Sequence, residues 1–118
     1  MPNALIAIVP CNDLDASQAF YARLGFRRHD SDAGSYRILT HGGGGELHLV
    51  AAPPGWLVAG RNPFGVYFYT EDVDALAARL GIVPEDKPWG MYEFSLSDPD
   101  QTMVRVGWPS RQRAAQRR

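Results

Sequence analysis

The sequence has one cysteine, Cys11, among its 118 residues. That excludes an internal disulfide and a multi-thiolate metal site, and it fits a reducing compartment. No apolar run approaches the length needed to span a bilayer. The opening Met-Pro-Asn-Ala lacks the basic segment of a secretory leader, so a cytosolic protein without a membrane partner is expected. Gly42 to Gly45 precede a strand and lack the Lys-Ser/Thr of a phosphate loop, so they read as a hairpin turn. Cys11 stands just before a helix start, where a thiolate can be stabilised. No histidine lies near it in sequence, which favours a structural thiol over a nucleophile. Asp98 and Asp100 read as turn residues rather than a matched acid-base pair.

What is present suits one globular domain: 45% hydrophobic and 21% charged residues,. The formal net charge of −1 conceals an asymmetry. Arg111, Arg113, Arg117 and Arg118 crowd the last residues without an acid, so of 12 basic residues eight remain against 13 acids, and the body stands at −5. A solvated or frayed basic tail over 109–118 is expected. A nucleic-acid arm would need a basic body or a nucleic-acid motif, and neither is there. A negative body favours cationic ligands.

The chain repeats itself. NDLDASQAFYARLG and EDVDALAARLG each open on an acidic pair, run about three helical turns, and stop at glycine,. Asp13 and Asp72 are N-cap candidates, and Asp15 and Asp74 follow in the first turn, where the helix dipole favours them. Gly25 and Gly81 suit the helix exits. A strand precedes each helix (ALIAIVP and FGVYFYT). Three follow each: FRRHD, SYRILT and ELHLV, then IVPED, MYEFSLS and TMVRVG. The result is an α+β chain of two tandem βαβββ modules, 3–50 and 64–108, joined by a Pro/Gly-rich linker over 51–63,. One helix covers one face of each sheet, and the other face is left for a cleft.

DLDASQAFYARLGF, ELHLV, VYFYTEDVDAL and PWGMYEFSLSDPDQT, in this order and spacing, resemble the glyoxalase, bleomycin-resistance and extradiol-dioxygenase superfamily, the vicinal oxygen chelate fold. PWGMYEFSLSDPD is similar to the bleomycin-resistance branch. The Asp-Pro-Asp turn of that branch continues Gly-Asn, whereas Gln101-Thr102 stands here. Without a glycine this turn must be strained or differently shaped. The resemblance implies a curved mixed sheet cleft, paired across a domain-swapped homodimer.

The resemblance also implies where a divalent metal would be held: at Ile6, Gly65 and Arg105. An apolar side chain, no side chain and a fixed cation cannot coordinate one, so a cleft without metal or other cofactor is expected. Glu46 and His48 lie two apart on one strand and face the same way. They are either a weak two-ligand site or wall residues in which His48 pairs with Glu46 or Arg105. The second is favoured, because lasting sites take three or more ligands. His29 and His41 lie near turns and are expected to be solvated. Alternation puts Gly65, Tyr67 and Tyr69 on one face, and the resemblance turns that face toward the cleft. Trp89 matches a ligand-stacking tryptophan, and Trp56 is expected to close over the same space. With Asp32, Glu46 and Glu93 flanking them, these rings suit a flat cationic guest. Arg105 either pairs with a cleft acid or receives an anionic group of the ligand.

Three functional classes follow. The leading one is a metal-free binding protein that sequesters an aromatic, cationic small molecule, an antibiotic or related compound, with no turnover. The second is a metal-dependent lyase, isomerase or dioxygenase built around His48 and Glu46. The third is an interaction domain with a filled cleft. The expected assembly is a homodimer. Its sites would draw Tyr67, Tyr69, Trp89 and Arg105 from one chain and His48 from the other.

Overall fold

The computed structural model describes residues 3–29 and 34–116. Asp32 therefore lies outside the described residues. In chain order the elements are β1 (Ala7–Cys11), α1 (Leu14–Ala22), β2 (Phe26–Arg28), β3 (Tyr36–His41), β4 (Glu46–Ala51), β5 (Gly65–Tyr69), α2 (Val73–Leu80), β6 (Glu85–Asp86), β7 (Met91–Ser97), β8 (Met103–Pro109) and α3 (Ser110–Gln116). They form two four-stranded mixed sheets, ordered β1-β4-β3-β2 and β5-β8-β7-β6. The first strand of each set runs parallel to the last, and the other pairings are antiparallel. The internal repeat is thus a repeat of topology as well as of sequence.

The chain divides into two compact units, Met1–Phe64 with Asp98–Thr102, and Gly65–Ser97 with Met103–Arg118. In the first, α1 packs on β2 and β4. Val9, Leu39, Leu47 and Leu49 are buried there at alternating strand positions, and Leu24 is buried in the turn just past α1,. Asp13 accepts the Ala16 amide and caps α1, as its position before the apolar stripe predicts. Residues 51–63 are not a free tether. Leu57 is buried, Asn12 Nδ2 donates to its carbonyl at 2.9 Å, and Asn62 Nδ2 donates to Thr102 Oγ1 at 2.8 Å.

The Asp-Pro-Asp turn is counted with this first unit because its polar groups are tied into it. Asp98 is buried and accepts from Tyr21 Oη at 2.9 Å and from the amides of Asp100 and Thr102 at 2.8 and 3.0 Å. Burial, and then the Asp98 charge, pushes the Tyr21 phenol far above its ordinary range, so it is a permanent donor,. Gln101, at the position where the resemblance implies glycine, has φ +65°, the one described non-glycine residue at positive φ. The turn keeps the glycine shape without the glycine. Gln101 Oε1 offsets part of that strain by accepting the Gly60 amide at 2.7 Å,.

In the second unit α2 and α3 both pack on β7 and β8. Val73, Leu76, Phe94, Val104 and Val106 form its core. Several expectations need correction here. Asp72 precedes α2 but makes no side-chain cap; its amide donates to Thr70 Oγ1 instead. IVPED yields only the two-residue β6, since Pro84 cannot donate to a ladder,. The basic tail is helical through Gln116 rather than frayed: Arg113 stacks 3.6 Å from the Tyr92 ring centre and pairs with Asp74 at 3.4 Å. Tyr92 Oη also donates to Asp74.

Cys11 ends β1, buried, with its Sγ 3.5 Å from the Val9 carbonyl. Burial pushes its thiol pKa from 9.0 up to about 11, outweighing any help from the neighbouring helix start,. Native protein at pH 8 should therefore resist a thiol-reactive disulfide reagent that titrates one thiol per chain after unfolding in urea. Because the folded pKa is raised, the thiol's contribution to stability is complete below pH 9 and is lost as pH rises toward 11,.

Candidate ligand-binding site

The second unit gathers three of the expected ligand residues, Tyr67, Trp89 and Arg105, around one acid, Glu93, with Tyr69 against Tyr67. In the ladder Tyr67 pairs with Arg105 and Glu93 pairs with Gly107, so all four positions lie on the sheet face opposite α2,. Glu93 is the centre. It is only 3% exposed, and its Oε1 accepts from Tyr67 Oη at 2.7 Å and from Trp89 Nε1 at 3.2 Å. Its other oxygen, Oε2, faces the Arg105 guanidinium, whose Nε stands 3.9 Å away, too far for a hydrogen bond,. The same guanidinium lies over the Trp89 ring, 5.9 Å from its centre.

Tyr67 and Tyr69 lean together with centroids 5.0 Å apart, and Tyr69 Oη approaches the Met91 sulfur at 3.9 Å. Although buried at its centre, the cluster presents rings outward: Tyr67, Tyr69 and Trp89 are exposed, and Arg105 is partly so. Burial of its hydroxyl, then the Glu93 bond and charge, hold the Tyr67 phenol protonated well above its ordinary range. It therefore donates to Glu93 at any physiological pH.

A small residue makes this packing possible. A Cβ on Gly107 would stand 2.3 Å from Tyr67 Oη, 2.8 Å from Glu93 Cβ and 3.1 Å from the Tyr92 carbonyl oxygen. Beside Glu93, a shallow cavity of about 210 Å³ is lined by Ile82, Val83, Glu85, Lys87, Phe94 and Ser95. Glu85 is the cross-strand neighbour of Glu93 and pairs with Lys87 at 2.9 Å.

The first unit holds Glu46 and His48 on the sheet face opposite α1. His48 Nε2 lies 2.6 Å from Glu46 Oε2, and its Nδ1 lies 2.5 Å from Tyr36 Oη. Both ring nitrogens are engaged, so His48 is hydrogen-bonded to Glu46 rather than to Arg105. Trp56 lies on the 51–63 segment, 81% exposed. His29 is exposed, as expected. His41 is partly exposed: its ring packs edge-on against Phe26 at 5.2 Å, and its Nδ1 accepts the Gly43 amide.

The metal of the superfamily's enzymes does not fit these residues. Ile6 is hydrocarbon, and Gly65 faces Met103, whose carbonyl a Cβ at Gly65 would meet at 3.4 Å. Arg105 is a cation already engaged with Glu93 and Trp89. None of the three offers an electron pair to a divalent ion. Among the described residues, no group of three or more His, Cys, Asp or Glu is placed to hold one.

Sequence reasoning named Glu93 only as a flanking acid and missed Tyr36, Gly107 and Met91. The alternation of MYEFSLS could have exposed the role of Glu93, since it puts Glu93 on the same face as Met91 and Ser95.

Two mixed βαββ β sheets of the same strand order, each covered by helix on one face, define a paired-module α+β protein with an aromatic, charge-bearing open face. The chain belongs to the Glyoxalase/Bleomycin resistance protein/Dioxygenase superfamily, whose family model matches residues 4–106. Its fold is similar to that of a bleomycin-binding protein solved in complex with bleomycin, with TM-score 0.77 and 26% identity over 90% of this chain and 98% of that one. It is similar also to a bleomycin resistance determinant encoded on the transposon Tn5, with TM-score 0.78 and 26% identity over 91% and 98% of the two chains. A lactoylglutathione lyase from Agrobacterium tumefaciens shares the fold at TM-score 0.69 and 23% identity, over 91% of this chain and 94% of that one. No curated protein matches the sequence. No helix among the described residues is long and apolar enough to cross a membrane.

Proposed function

We propose that this chain binds a small aromatic, cationic molecule without metal and protects the cell by sequestering it, in the manner its similarity to the bleomycin-binding proteins suggests. The observation that carries this reading is the cluster of exposed rings around one buried carboxylate: Tyr67, Tyr69 and Trp89 over Glu93. Rings give stacking area, and the carboxylate gives a preference for positive charge. The ligand class is an antibiotic or related compound, and the compartment is the cytoplasm. The assembly is a homodimer whose sites combine Tyr67, Tyr69, Trp89 and Arg105 of one chain with His48 of another. Static light scattering at tens of micromolar protein tests it, and a monomer would remove the shared-site part of the reading.

The direct test of function is calorimetric titration with bleomycin in the presence of EDTA. The expected result is saturable binding at one ligand per chain with micromolar or tighter affinity. No heat and no fluorescence change at hundreds of micromolar would reject bleomycin as ligand. Binding that disappears on adding EDTA would favour the metal-dependent alternative.

A further inference from the structure

We infer that Arg105 is a resident cation that occupies the ligand's own cation subsite, so that a ligand binds by displacing its guanidinium from Glu93 and Trp89. The inference rests on reading this face as a small-molecule site, and it deepens that reading by naming the residue that sets its charge selectivity.

Three observations support it. Arg105 makes the two contacts that a planar cationic guest would make, a face-on approach to Trp89 at 5.9 Å and an ion pair with Glu93 at 3.9 Å,. Both contacts are loose. The ion pair is longer than a hydrogen bond, and the arginine side chain is 41% exposed, so it is held weakly and can swing into solvent,. Finally, Glu93 is organised for a cation from outside. Tyr67 and Trp89 fix its Oε1 and leave Oε2 to Arg105, its one ion-pair partner among the described residues.

A buried carboxylate needs a counter-charge when the site is empty. Arg105 supplies it and leaves when a better-shaped cation arrives. The site therefore selects flat ligands bearing an amidinium, guanidinium or aromatic ammonium group, and its affinity is the difference between guest and resident cation. An anionic guest meets the Glu93 carboxylate beside that guanidinium and is disfavoured by it,.

The test compares 9-aminoacridine, a flat cation at pH 8, with acridine, its neutral counterpart, by equilibrium dialysis against the full-length protein. Arg105→Gln should bind the cation about tenfold more tightly than wild type, while acridine changes less than about twofold. Adding Glu93→Gln to Arg105→Gln should abolish the gain. In wild type, the Arg105 side-chain Nε–H signal in the NMR spectrum should shift on saturation with the cation.

Unchanged or weaker cation binding by Arg105→Gln overturns the inference, as does absence of cation binding by every variant. Circular dichroism of each variant separates a folding defect from a binding effect, and Arg105→Met serves as a second substitution at the same exposed position. If bleomycin fails to bind while Arg105→Gln shows the gain for the acridine cation, the choice of bleomycin falls and the role of Arg105 stands.

Discussion

Asp98→Ala is expected to destabilise the protein by about 3–5 kcal/mol, the largest effect of any single substitution considered. The loss comes from three donors at once. Tyr21 Oη and the amides of Asp100 and Thr102 all end on the Asp98 carboxylate, in a buried environment where water cannot replace it. Each orphaned buried donor costs about 1–3 kcal/mol, and partial relaxation of the turn recovers some of the sum. Tyr21→Phe removes only one of the three bonds and should cost about 1–2 kcal/mol. Urea unfolding followed by circular dichroism reads both. A loss below 1 kcal/mol for Asp98→Ala would mean that the turn is held by its backbone alone. Gln101 makes the same point, since it adopts φ +65° in the middle of this turn despite carrying a side chain.

Gly107→Ala should abolish the ligand site while leaving the fold intact, lowering affinity for any aromatic cation by at least about tenfold. The added methyl would collide with Tyr67 Oη at 2.3 Å and crowd Glu93 Cβ at 2.8 Å. Tyr67 can swing away cheaply, but in doing so it releases Glu93 Oε1 and takes one wall from the site. Glu93 and the Tyr92 carbonyl belong to β7 and cannot move as freely, so a stability loss of about 1–3 kcal/mol accompanies the effect. Thermal unfolding and dialysis against 9-aminoacridine separate the two. Normal binding by Gly107→Ala would show that the Tyr67–Glu93 bond is dispensable.

Most of the fold could be read from the sequence because two helices carried their own punctuation. Asp13 opens α1, which closes at Arg23, two residues before the expected Gly25; Asp72 and Gly81 bracket α2, and the alternating strands around them repeat in the same order. The helical tail could not be read this way, because α3 buries no side chain fully. It is placed by contacts from elsewhere in the chain: Arg113 on the Tyr92 ring and against Asp74, and Ser110 Oγ on Asp86 at 2.7 Å. Periodicity carries no trace of such contacts. The absence of an Asp72 side-chain cap was equally invisible, since Thr70 supplies the local hydrogen bond instead.

At the site, alternation correctly put Tyr67 and Tyr69 on one exposed face. What sequence could not give was the register between strands. Pairing Tyr67 with Arg105, and Glu93 with Gly107, turns four residues scattered over 40 positions of chain into one cluster. The same limit leaves His48 two candidate partners in the sequence; in the fold the β3–β4 hairpin puts Tyr36 on one ring nitrogen, and Glu46 takes the other.

The most direct measurement is an NMR titration with bleomycin in EDTA, following the indole N–H of Trp89 that donates to Glu93. The account predicts that this signal shifts and saturates at one ligand per chain, with the chelator making no difference, and that Glu93→Gln weakens the response. A Trp89 signal that stays in place at saturating ligand, or binding that EDTA removes, would contradict it.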